Sequence, residues 1–261
     1  MPTPEDAYRL DGYTHLPDLL DPSEAHAIAT VLARLSGLAT DDCASVLTGQ
    51  REPFYQHGGV AAHPDLWPLL THPGITKAVA AVLQDAPKCL PGIDTIGMHI
   101  AETDPHRDAS PEELPALGDK PYDTDYPVVR VILYPTSPGA RFGLLPGSHR
   151  QPGSCADLTA NNPDAWRWVT ISGGDALLFD PRLVHAGAAL SNPKPMIILT
   201  YGIDGPHALQ TYFHARIKTA QLGFTDPRPD LAHHLEDAQL LLSGIQDQAN
   251  WRTFASVWGH D

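Results

Sequence analysis

The chain has 261 residues, 42% of them hydrophobic and 18% charged, a balance suited to a globular protein that buries a sizeable core. Its formal net charge of -14, from 31 acidic and 17 basic residues, argues against nucleic acid or anionic membrane as a partner, because both demand clustered Lys and Arg. Cys43, Cys89 and Cys155 are too far apart for a disulfide framework or a zinc knuckle, residues 1–13 lack a signal-peptide pattern, and no stretch approaches the ~18 apolar residues of a membrane span, so a soluble cytoplasmic protein is expected.

In chain order, Tyr13-Thr14-His15-Leu16 reads as a short strand after a polar opening segment. Asp21-Pro22-Ser23-Glu24 is a helix start: Asp21 can cap, Pro22 suits the first helical position, and Glu24 sits three residues after the cap. Ile28, Val31, Leu32 and Leu35 continue it at helical spacing. A second helical region runs from about Asp65 to Leu83, broken by Pro73-Gly74. After Pro87, short apolar runs alternate with turns rich in Pro, Gly and Asp. Residues 93–100, 128–134, 142–145, 168–171, 176–179 and 196–201 each read as strands, and this succession predicts a sandwich or jelly roll. A polar, Pro-rich loop between Asp104 and Tyr126 is too long for a tight turn. From Pro206 the pattern turns helical again, with leucines from Leu231 to Leu242 read as one packing helix to Ile245. The expectation is a single domain over 1–261, mainly β with flanking helices: a helical part to about residue 86, a β core from about 90 to 203, and a helical part from about 206.

The chain holds 14 histidines, and pairing is what separates a ligand from a bystander. His106-Arg107-Asp108 puts an imidazole and a carboxylate at i and i+2, the same face of an extended strand. His185 lies just beyond the apolar run Ala176–Phe179, and a jelly roll can bring these two strand ends to one mouth. Two imidazoles and one carboxylate on one face leave further positions open on a bound ion, the arrangement of non-haem iron(II) oxygenases. The competing His63-Pro64-Asp65 opens an apolar helical run, where Asp65 reads as a cap and His63 as structural.

Three further stretches carry a family resemblance. They are Asp11 to Leu20 followed by the capped helix; Pro146-Gly147-Ser148-His149 within Gly143 to Arg150; and Gly173-Gly174-Asp175-Ala176-Leu177-Leu178-Phe179, followed by Leu183-Val184-His185-Ala186-Gly187. With His106-Arg107-Asp108, in this order, they resemble the phytanoyl-CoA dioxygenase-like family over roughly residues 8 to 202. The resemblance implies a double-stranded β-helix (a cupin-like jelly roll) and iron(II) held by His106, Asp108 and His185. It also implies 2-oxoglutarate and dioxygen as co-substrates. Oxidative decarboxylation to succinate and CO2 would generate the oxidant that removes a substrate hydrogen. Aspartate at position 108 points to hydroxylation, or to a desaturation or ring closure begun the same way, because related halogenases carry a small residue there.

One departure concerns the co-substrate. The family anchors the distal carboxylate of 2-oxoglutarate with an arginine shortly after the last histidine, where this chain has Lys194 in Ser191-Asn192-Pro193-Lys194-Pro195. A lysine holds a carboxylate as a point charge, without the bidentate fork of arginine. Arg130, a cation inside the apolar strand 128–133, is a second candidate: it needs a partner, either a bound carboxylate or an Asp of the chain. Arg141 is the third. The acidic loop 102–125 reads as a lid that would repel a polyanion, so the expected partner is a small-molecule metabolite. Two rivals remain open: a metal-binding jelly-roll enzyme that does not use oxoglutarate, and a jelly-roll binding protein without turnover. The sequence carries no signature of oligomeric state.

Overall fold

The computed structural model describes residues 3–39, 50, 52–98, 103–110, 122, 125–136, 140–188, 195–220 and 230–245. The chain forms two compact units, one from Met1–Tyr55, Ile96–Ser110 and Arg130–Ile198, the other from Gln56–Thr95, Pro111–Val129 and Leu199–Asp261. Each unit therefore draws on three separate stretches of chain.

Among the described residues ten strands are formed: β1 Tyr13–Leu16, β2 Phe54–His57, β3 Pro87–Cys89, β4 Thr95–Met98, β5 Val128–Leu133, β6 Ala140–Leu144, β7 Arg167–Ile171, β8 Ala176–Phe179, β9 His185–Ala188 and β10 Met196–Ile203. In the larger sheet β1, β8, β5 and β10 are successive neighbours, β4 and β2 continue the path, and β3 also pairs with β10. The smaller sheet has the order β7-β6-β9. In the first unit β8 is antiparallel to both β1 and β5, with Phe179 opposite Tyr13 on one side and Arg130 on the other. β6 is antiparallel to β7 and β9, with Leu144 opposite Arg167 and His185. Ile132 and Phe179 from the larger sheet pack with Phe142, Leu144 and Ile171 from the smaller one in a single buried cluster, the interdigitated core of a face-to-face sheet pair. All four residues of β8 are buried, and in β5 only Arg130 is not, which is why both strands read as continuous apolar runs.

The first unit's helices start where their caps dictate. Asp21 accepts hydrogen bonds from the Ser23 and Glu24 backbone N–H groups at 2.8 and 2.9 Å while Glu24 reaches back to the Asp21 N–H at 2.9 Å, opening helix Pro22–Ser36. The opening segment, read from the sequence only as polar, forms helix Pro4–Asp11, held by a capping box between Thr3 and Asp6. That helix stops at Gly12 (φ 84°), where an added Cβ would lie 2.5 Å from His149 Nδ1 and 2.8 Å from Leu183 Cδ1.

The second unit contains the helical turns Gly59–Ala62 and Trp67–Leu70 and the helices Pro73–Leu83, Pro206–Ala220 and Leu231–Asp237. The break expected at Pro73-Gly74 falls two residues earlier, because Pro73 begins the next helix and the His72 imidazole caps it by accepting from the Ile75 N–H at 3.3 Å. The helix expected to run to Ile245 ends at Asp237: Gln239 takes φ 59° and the Leu240 carbonyl accepts from the Cys89 N–H at 2.7 Å. No helix among the described residues is long and apolar enough to cross a membrane.

Candidate metal centre

His106 and His185 face each other as one antiparallel bridge. Each donates its backbone N–H to the other's carbonyl at 2.9 Å, the hydrogen-bonded pair geometry that puts two side chains on the same face. The imidazole centroids are accordingly 4.3 Å apart. Asp108 sits two residues beyond His106, in a bend rather than a continuing strand. Its Oδ1 lies 3.8 Å from His106 Nε2 and 3.7 Å from His185 Nε2. Among the described residues this trio is the one cluster of His, Cys, Asp or Glu whose donor atoms all converge within 4.8 Å.

Hydrogen bonding sets the tautomers. His106 Nδ1 donates to the Asp104 carbonyl at 2.7 Å and His185 Nδ1 donates to the Leu183 carbonyl at 2.9 Å. In each neutral imidazole the Nε2 lone pair is then left to face the Asp108 carboxylate. Burial pushes the His185 pKa down to about 4, so this imidazole is neutral near pH 7. Three groups able to offer electron pairs, converging on one point, suit a cation. Ligands at ~2.1 Å from one ion lie from ~3 Å (adjacent) to ~4 Å (opposite) apart, and the observed 3.7 and 3.8 Å fall in that range. Two imidazoles and one carboxylate is the donor set of non-haem Fe(II) sites with open positions.

The walls around the trio differ. The His185 ring is almost entirely buried against Phe142, stacked at 5.3 Å between centroids, and Phe179 at 4.8 Å. His106, by contrast, keeps 43% of its side chain exposed, so solvent and ligands reach the trio from the His106 side. Asp108 Oδ2 points the other way, 3.3 Å from Arg130 Nε. The cation expected inside the apolar strand therefore has an Asp of the chain as a partner. Arg141 neighbours Phe142 on β6 and so projects from the opposite face, where its guanidinium stacks on Trp168 at 4.8 Å. That direction takes it away from the face that carries Phe142. Lys194, His99 and most of loop 102–125 lie outside the described residues. His63 is remote in role as well as sequence: its Nε2 bonds the Gln56 side chain at 3.2 Å. The helical turn begins at Pro64 with His63 in the cap position, so Asp65 lies within the turn and not at its cap.

Two supports were not anticipated from the sequence. Arg182 and Asp180, both nearly fully buried, pair at 2.7 Å three residues before His185, and Ser148 Oγ accepts the Val184 N–H at 2.8 Å. Arg107, between the two ligands of the H-x-D pair, is bonded to four backbone carbonyls. The motif displayed Ser148 and Arg107, but nothing in one sequence says which carbonyls a fold will bring to them.

No protein-family model and no curated protein matches the sequence. Solved structures match the fold. The non-haem α-ketoglutarate-dependent carbocyclase SnoK of nogalamycin biosynthesis is 18% identical, with 87% of this chain and 93% of that one aligned at a TM-score of 0.58. The epimerase SnoN, solved with Fe3+, α-ketoglutarate and nogalamycin RO, is 17% identical over 76% of this chain and 82% of its own, at 0.55. EctD from S. alaskensis, with 2-oxoglutarate and 5-hydroxyectoine, is 20% identical over 76% and 74%, at 0.53. At such identities the likeness establishes the fold: a jelly roll of the kind these iron- and 2-oxoglutarate-dependent enzymes share.

Proposed function

We propose that the protein is an Fe(II)- and 2-oxoglutarate-dependent dioxygenase, similar to the phytanoyl-CoA dioxygenase-like proteins. In this reading it oxidises an unactivated C–H bond of a small-molecule metabolite in the cytoplasm, with succinate and CO2 as co-products. The observation that carries the reading is the convergence of His106 Nε2, His185 Nε2 and Asp108 Oδ1 at 3.7–3.8 Å, with both imidazoles fixed as Nδ1–H donors. The jelly-roll likeness to SnoK, SnoN and EctD supports it, as do the free thiols of Cys89 and Cys155, ordinary in a reducing compartment.

His106, Asp108 and His185 hold the iron in this account, and the iron with 2-oxoglutarate supplies the oxidising chemistry when bound. The chain's own residues orient and shield. Phe142 and Phe179 keep water from the His185 side, while the His106 side admits co-substrate and substrate. Arg130 compensates the Asp108 carboxylate. With a divalent ion present, the added guanidinium charge leaves the centre cationic and favours a dianion such as 2-oxoglutarate. Lys194 would complete the co-substrate site as a point charge on the distal carboxylate. An epimerase and a carbocyclase are among the structural neighbours; the aspartate at position 108 fits hydroxylation, and equally a desaturation or ring closure begun the same way, and hydroxylation is the outcome proposed here.

The test is calorimetric titration of 2-oxoglutarate into protein with and without Mn(II) as a redox-inert substitute for iron. Binding that requires the metal, and is lost in His106→Ala, is expected. Binding that ignores the metal, or no binding to the loaded protein, would contradict the co-substrate assignment.

A further inference from the structure

Arg107 stands between two of the proposed ligands, and its side chain reaches across to four backbone carbonyls. Its Nε donates to the Arg182 carbonyl at 2.8 Å, Nη1 to the Gly153 carbonyl at 2.9 Å, and Nη2 to the carbonyls of Ser148 and Gln151 at 2.9 and 2.8 Å. These four partners are neutral, so what the arginine offers them is a rigid fork of donors.

The carbonyls belong to the two segments that frame the metal centre. Arg182 lies three residues before His185, and its own side chain is held by Asp180 through Nε–Oδ1 at 3.0 Å and Nη2–Oδ2 at 2.7 Å. Ser148 opens the turn Ser148–Arg150 and Gln151 follows it, and the Ser148 hydroxyl accepts from the Val184 N–H at 2.8 Å. Three more bonds join the ligand segments directly: the two of the His106–His185 backbone exchange, and the Ala109 N–H to the Pro181 carbonyl at 3.0 Å. Residues 106–109 and 181–185 are thus joined along their length, and Arg107 fastens the pair to the 148–153 segment.

We propose that Arg107 is a positioning residue for the metal. Its guanidinium fork, through these four carbonyl bonds, sets the separation at which His106, Asp108 and His185 converge before any ion arrives. The inference rests on the reading of these three residues as metal ligands. It assigns a task to the middle residue of the H-x-D pair, which touches neither ion nor substrate. The arrangement also explains how Asp108 can lie in a bend and still meet His106: the chain there is held from its other side by Arg107.

The test compares wild type with Arg107→Lys and Arg107→Met in the full chain, titrating Co(II) without 2-oxoglutarate and following its visible ligand-field spectrum. Thermal unfolding is recorded with and without metal. Removing partners that orient metal ligands lowers metal affinity by roughly 10–100-fold, and that loss is expected in both variants with the circular dichroism spectrum retained. Lysine keeps the charge but cannot serve four carbonyls, so it should not restore binding. Full restoration by Arg107→Lys would overturn the claim that the fork matters. A lowered metal-free melting temperature with unchanged Co(II) affinity would make the arginine a plain structural tie and also overturn the proposal. Should Arg107→Met not fold, Arg107→Gln takes its place. A wild-type protein that binds no Co(II) would instead sink the metal-centre reading itself, which is a separate outcome from a defect confined to the variants.

Discussion

At the scale of single residues, the two imidazoles are prepared for a cation by what they donate, not only by where they stand. Each gives its Nδ1 proton to a carbonyl two residues earlier in the chain, Asp104 for His106 and Leu183 for His185. His106→Ala or Asp108→Ala should therefore abolish Fe(II) binding with the fold retained, read by metal analysis after desalting. His63→Ala, which loses one side-chain bond to Gln56, should keep full metal content. Arg130 gives a prediction with a less obvious sign. Its charge attracts an anionic co-substrate and repels a divalent ion, so Arg130→Met should weaken 2-oxoglutarate binding while leaving Fe(II) affinity unchanged or tighter. A parallel loss of both affinities would mean that the residue chiefly supports Asp108. The candidate trio was legible because a metal site needs particular residue types at particular spacings. The grip of Arg107 was not, since its partners are backbone carbonyls, identical at every position of a sequence.

Among the elements, the turn at Pro146–His149 ties the end of the first helix to the segment bearing His185. The Gly147 N–H donates to the Asp11 carbonyl at 2.9 Å, and the His149 ring covers Gly12, where there is no room for a methyl group. Gly12→Ala must place a Cβ against a buried imidazole and strain a φ of 84°, so it should cost about 1–3 kcal/mol in chemical denaturation, the usual range for overpacking. Asp21→Ala, which removes one helix cap far from the centre, should cost about 1 kcal/mol and leave metal binding untouched. The strands that are nearly continuous apolar runs were readable: β5, β8 and β10 fall where those runs put them. β9 was not, because His185-Ala186-Gly187-Ala188 has little strand propensity and is extended through its pairing with β6. Helix Cys155–Asn161 was missed for a smaller reason, that Ser154 looks like loop until its side chain is seen accepting from the Asp157 N–H at 3.1 Å. The C-terminal leucines misled in the opposite direction: helical spacing at Leu240 to Leu242 meets a chain that leaves the helix to bond Cys89.

For the molecule as a whole, the general architecture followed from alternating short runs and turns, whereas the division into units did not. Each unit gathers distant stretches of chain, and no local pattern encodes which stretches meet. The whole of the proposed centre, with Arg107, Arg130 and the Ser148 turn, lies in the unit that contains Ile96–Ser110 and Arg130–Ile198. A ligand that binds only the folded unit stabilises it by mass action, by about 2.7 kcal/mol at a hundredfold excess over Kd. Saturating Fe(II) or Mn(II) should therefore raise the melting temperature by about 5–10 °C, and a chelator should reverse the shift. The central claim is that His106, Asp108 and His185 hold an iron that 2-oxoglutarate chelates, and anaerobic Fe(II) titration with and without 2-oxoglutarate tests it most directly. A weak visible charge-transfer band that needs both components, and is lost in His185→Ala, is the predicted result. Iron binding without the band would keep the metal centre but contradict the co-substrate, and no iron binding would contradict the claim altogether.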